Sequence, residues 1–165
     1  MKKIFLILFG LFFMFSVNVN AAMIQGGISM SDQVPKEFFG DWKVVSVCTK
    51  ATDSSLLNTK SLDIWVLSRM GQTISLSNPL SGATAQIDVD EVNGKTVKFE
   101  KRGYYPNEES IETPILTLQG DNFTGVDKII IKTYQNGKLI KEDYVEYKVK
   151  GIKMKIDPIT GIFGI

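Results

Sequence analysis

The sequence predicts an all-β domain, an antiparallel up-and-down meander closing into an eight- or nine-stranded barrel, with a β-sandwich as the alternative. Three observations carry this expectation. From Asp41 onward, apolar residues recur at every second place in segment after segment. The segments are joined by turn signals, among them Asn93-Gly94 and Asn136-Gly137, a pairing suited to two-residue hairpins with positive φ at both places. After residue 21, nothing longer than a turn shows an apolar stripe of period 3.6, so crossover helices for a parallel sheet are missing. Closure is preferred to a sandwich because a meander keeps two unpaired edges unless its first and last strands meet.

Each element follows in order. Val34-Pro35-Lys36-Glu37-Phe38-Phe39-Gly40 reads as a short helical turn, with Pro35 at its start and Gly40 at its stop. Two phenylalanines do not suit a solvated turn, so it is expected to plug something apolar. Trp42, Val44, Ser46 and Cys48 then alternate with Lys43, Val45, Val47 and Thr49. Leu62, Ile64 and Val66 alternate with Asp63, Trp65 and Leu67, a strand apolar on both faces, which leaves the direction of Trp65 open. Ile74 and Leu76 follow the turn Met70-Gly71, and Ala83, Ala85, Ile87 and Val89 follow the turn at 78–82. Val97 and Phe99 come after Asn93-Gly94, and residues 103–114 read as a long loop with a cluster of acids. Leu116 and Leu118 make a short strand. Ile129 and Ile131, then Val145, Tyr147 and Val149, flank Asn136-Gly137. At Gly151 the apolar parity changes to Ile152, Met154 and Ile156, the mark of a glycine bulge or of a ninth strand.

The N-terminus carries a separate message. Lys2 and Lys3 precede 14 largely aliphatic and aromatic residues, Ile4 to Val17, and Val19 and Ala21 stand at the −3 and −1 places of a cleavage site after Ala21. This is the layout of a secretory signal. The apolar run falls short of the ~20 residues a span needs. The expected organisation is a signal peptide over 1–21, a flexible leader over 22–33, the barrel over 34–156 and a tail over 157–165. The product is expected in the periplasm or outside the cell, with no membrane anchor after cleavage, since Cys48 is the one cysteine and lies far from any lipidation site.

Composition excludes much chemistry. With no histidine, Ser-His-Asp and Cys-His nucleophile activation are closed, as are His-based metal sites, and one cysteine builds neither a disulfide nor a thiolate site. Without Lys2 and Lys3 the chain carries 17 basic against 18 acidic residues, and its arginines are Arg69 and Arg102 alone, which gives no footprint for nucleic acid. Asp88 and Asp90 share the polar face of their strand, and Glu108, Glu109 and Glu112 share a loop; both sets read as solvated rather than as an acid–base pair. Asp121, Asn122 and Asp127 read as a turn rather than a cation site. No enzyme, cofactor or metal is expected.

Phe38-Phe39-Gly40-Asp41-Trp42, a turn followed by Gly-x-Trp at the head of the first strand, resembles the opening of lipocalins and related calycin barrels. The resemblance implies that Gly40 and Trp42 close one end beneath the plug turn. It also implies that residues 50–61 overhang the open end, and that Lys148 or Lys150 takes the place of an arginine stacked on the tryptophan. If Trp42 points inward, so do Val44, Ser46 and Cys48. These, with Trp65, are the candidate ligand-binding residues, apolar walls with a few polar groups, reached beneath the 50–61 loop. The expected partner is a small apolar or amphipathic molecule. The alternative is a barrel with a solid core acting on an envelope protein through Tyr104 and Tyr105, or through the apolar tail docked as a strand on a partner or on the barrel.

Overall fold

The computed structural model describes residues 29–156 and 163–164; the expected signal peptide and most of the expected tail lie outside them. Eight antiparallel strands, each hydrogen-bonded to its sequence neighbours, form a closed barrel. They are β1 (Gly40–Ala51), β2 (Lys60–Met70), β3 (Thr73–Asn78), β4 (Ala83–Asn93), β5 (Thr96–Tyr105), β6 (Glu108–Gln119), β7 (Asn122–Gln135) and β8 (Lys138–Lys153). Closure comes from β1 against β8, in register from Trp42↔Lys153 to Ala51↔Val145. The up-and-down barrel predicted from the alternation is the fold observed, and the sandwich is not.

A helical turn, α1 (Met30–Gln33), and a 3-10 turn, η1 (Lys36–Phe38), precede β1, and a second 3-10 turn, η2 (Ser54–Leu56), lies between β1 and β2. Part of the expected leader is therefore ordered: Ser31 of α1 is buried, and the Arg69 guanidinium donates to the Ser31 carbonyl at 3.0 Å and pairs with Asp32.

Three local features depart from the sequence reading. Residues 103–114 are not a loop but the facing arms of the β5–β6 hairpin, paired from Gly103↔Ser110 to Tyr105↔Glu108. Their polar residues hide the alternation because both faces of this hairpin are partly wet. The Asn93-Gly94 turn moves on by one residue. A register shift between Val89 and Glu91 leaves Asn93 paired with Thr96, so Gly94-Lys95 make the turn and only Gly94 has positive φ, +57°. Asn136-Gly137 keeps the predicted form, with φ of +52° and +75°.

The parity change at Gly151 is the third. β8 runs through it without a bulge: Gly151 keeps the inward position opposite Val44 and Phe123, and Ile152 points outward, 39% exposed. A Cβ on Gly151 would lie 2.2 Å from the Phe123 ring, so the missing side chain is the space the ring occupies. A ninth strand does begin nearby. β9 (Lys155–Ile156) pairs with β10 (Phe163–Gly164) as a separate two-stranded sheet.

Candidate binding site

One end of the barrel is sealed by aromatic residues. Phe38, Trp42, Phe99 and Phe123 are fully buried. Phe38 meets Phe99 edge to face at 6.0 Å between centroids, and Trp42 lies 4.9 Å from Phe123. The Trp42 indole N–H donates to the Phe38 carbonyl at 2.8 Å, which satisfies a polar group that could not otherwise be buried. Gly40 enters β1 at φ +127°, with the Lys153 Cε 3.2 Å from where a Cβ would stand. The cation over Trp42 is Lys153, 5.1 Å from the ring and donating to the Glu37 carbonyl. Lys148 and Lys150 do not take this place: they fall on the outward parity of β8 and are exposed, whereas Lys153 pairs directly with Trp42.

The 52–59 segment overhangs the other end, and there it closes rather than opens the interior. Leu56 of η2 is buried against Cys48 and Val145. Cys48 is free, fully buried, and its thiol donates to the Lys50 carbonyl at 3.5 Å; burial raises its pKa. The way in beneath this loop, expected from the sequence, is filled by these side chains.

The opening lies elsewhere, between β4 and β5. Their ladder runs from Asn93↔Thr96 to Asp88↔Glu100 and stops. Beyond it, the first residues of β4 stay with β3 while Lys101 to Tyr105 of β5 pair only with β6. Behind this seam is a small well lined by Trp65, Leu67, Leu76, Ile87, Phe99 and Leu116, with Lys101, Glu112 and Pro114 at its side. Its volume is about 10 Å³, space for about one water.

Of the predicted ligand residues, Trp65 lines this well. It points inward and stacks on Phe123 at 6.0 Å with 25° between the planes. Val44, Ser46 and Cys48 are buried on the inward face of β1, as the alternation required, but do not line the well.

Three interior residues escaped the sequence reading. Lys101 and Glu112 face each other on β5 and β6 and form an ion pair at 3.0 Å. Asp127 on β7 lies opposite Pro114, is 5% exposed, and its Oδ1 has no hydrogen-bond partner. Burial, reinforced by the Glu112 charge and opposed by Lys101, pushes its pKa well above the usual carboxylate range. The signal was present. Val97 and Phe99 set an inward parity that reaches Lys101, Leu118 and Leu116 set one that reaches Glu112, and Phe123 sets one that reaches Asp127. Residues 121–127 are accordingly not one turn: Asp121 is exposed and pairs with Lys155 at 2.6 Å, while Asp127 is interior. Among the described residues no group of three acidic or cysteine side chains is placed to hold a metal ion. Asp88 and Asp90 are exposed, and Asp90 pairs with Lys98.

No protein-family model, no curated protein and no solved structure matches this chain.

Proposed function

We propose that this chain is an exported, lipocalin-like, non-catalytic barrel that takes a small apolar or amphipathic ligand into the well behind the β4–β5 seam. The observation that carries the reading is an apolar well whose outer wall is not held by ladder hydrogen bonds. At about 10 Å³ it is far below the several hundred Å³ of a ligand pocket. Spreading the seam beyond Asp88↔Glu100 breaks no β4–β5 ladder bond, so the well can widen there without opening the sheet. The signal-peptide layout at residues 1–21 supports export.

Titration with 1-decanol, followed by Trp65 fluorescence, tests this. The expected result is a saturable change that is lost in Ile87→Phe, which fills the well with an aromatic ring. A fluorescence signal indifferent to decanol, or one unaltered by Ile87→Phe, would overturn the reading.

A second reading rests on the rim. Tyr104 (61% exposed), Leu139 (51%) and Ile140 (57%) stand near the tips of the adjacent β5–β6 and β7–β8 hairpins. These are interface-type residues, and the lower interior is solid, which suits a barrel acting on an envelope protein. Loss of a partner on Tyr104→Ser with Leu139→Ser, with decanol binding retained, would favour it.

A further inference from the structure

We infer that the outer wall formed by β8, β1 and β2 docks on an anionic bilayer surface, its lysines against the lipid headgroups and its aliphatic side chains between them. This contact lies on the outside of the barrel and needs nothing of the interior well.

Strand parity builds this wall. Trp42, Val44, Ser46 and Cys48 point inward, so Lys43, Val45 and Val47 point outward. The ladders place Val45 between Lys150 and Leu62, Lys43 between Ile152 and Ile64, and Val47 between Lys148 and Lys60. At ordinary strand dimensions this block covers about 10 by 14 Å of backbone. Its aliphatic members are wet: Leu62 is 57% exposed, Val45 43% and Ile152 39%. Lys60, Lys148 and Lys150 are exposed and Lys43 is half-buried. Among the described residues none of these lysines is in an ion pair. The acids of this wall stand at its margins, Asp41 beside Val66 and Glu146 bound to Lys50.

The far side of the barrel carries the compensating charge. β5 stands opposite β1 in the ring of eight strands. There β4 and β5 present Asp88, Asp90, Glu91 and Glu100 against Lys98 and Arg102, and both cations are ion-paired. A chain with a formal charge of only +1 therefore folds into a barrel with a basic, apolar side and an acidic one. The residue types select the occupant. Protein interfaces favour aromatic residues, methionine and arginine and are poor in lysine, whereas this wall is made of lysine and branched aliphatic residues. A lysine lays its methylene stem along apolar surface and extends its ammonium to a lipid phosphate. Val45, Leu62 and Ile152 then leave water at headgroup depth. Each lysine brought to an anionic surface raises the partition about fivefold.

Co-sedimentation with vesicles tests this, using phosphatidylcholine alone and an equal mixture of phosphatidylcholine and phosphatidylglycerol. All variants share one chain background, so that residues 1–21 contribute equally. Binding to the anionic vesicles is expected to be at least tenfold tighter than to the neutral ones and to weaken with added salt. Lys148→Glu with Lys150→Glu should lower it about tenfold or more. Lys95→Glu with Lys98→Glu, the same change of net charge on the far side, should lower it less than threefold. An environment-sensitive fluorophore attached in Leu62→Cys should brighten and shift to the blue on anionic vesicles, and the same label in Gln86→Cys of β4 should not; Cys48 is too buried to take the label. Equal responses from the two labels, equal losses from the two lysine pairs, or no preference for anionic vesicles would overturn the lipid contact. Self-association without vesicle binding, abolished by Lys148→Glu with Lys150→Glu, would overturn it in favour of a second copy docked through its acidic side.

Discussion

The indole N–H of Trp42 donates to the Phe38 carbonyl at 2.8 Å, tying the 3-10 turn η1 to the head of the first strand across the sealed end of the barrel. Phenylalanine at position 42 would keep an aromatic ring, lose the donor and leave the buried carbonyl unpaired. Trp42→Phe should cost about 2–3 kcal/mol, from the orphaned carbonyl and the smaller ring. Urea unfolding, with the midpoint shifted and the slope unchanged, is the measurement that checks this.

The Phe123 ring occupies the space where Gly151 has no side chain. Gly151→Ala places a methyl group 2.2 Å from a rigid ring in a filled core, so the ring or the strand must move. A loss of about 1–3 kcal/mol is expected. Phe123→Leu combined with Gly151→Ala should lose less than the two single losses added together. Strict additivity in that double-mutant cycle would contradict the fit described here.

Stability should depend on pH through Asp127. Its carboxyl holds a proton more firmly in the folded barrel than in the unfolded chain, first because it is buried and then because Glu112 is near. The folded state therefore binds more protons over that interval. The contribution of Asp127 is fully present below the ordinary carboxylate range and is lost as pH rises through its native pKa. Asp127→Asn removes the ionisation, so the part of the pH dependence that Asp127 carries should vanish and the variant should gain on the parent as pH rises toward neutrality. Thermal melts of both proteins from pH 4 to 8 would show it; parallel pH profiles would argue against a buried, protonated Asp127.

The Cys48 thiol is fully buried beneath Leu56, with its pKa raised by burial. Both effects suppress the reactive thiolate. Modification by a water-soluble disulfide reagent should be slow in the native protein and complete in denaturant. Leu56→Ala, which uncovers the thiol, should speed native-state labelling by tenfold or more.

The barrel was legible in the sequence because alternation and turn residues are local signals; Gly40 and Trp42 at the closed end came from the lipocalin-like Gly-x-Trp resemblance, and the inward face of β1 follows by parity once Trp42 is placed inside. The seam was not, since the length over which two neighbouring strands stay paired depends on their divergence in space. Lys101, Glu112 and Asp127 were hidden for a different reason. Charged residues are ordinarily assigned to water, and here the strand parity that places them inside runs against that habit. Lys153 was missed because the parity change at Gly151 was read as a bulge or the start of a ninth strand, whereas a glycine accommodating a ring leaves the same pattern of letters.

The most direct test is a backbone and indole NMR titration with 1-decanol. Binding behind the seam predicts shifts at the Trp65 indole, at Leu76, Ile87 and Leu116, and at the amides of residues 83–87 and 101–105. Changes confined to Tyr104, Leu139 and Ile140 at the rim, or no saturable change at the Trp65 indole, would contradict it.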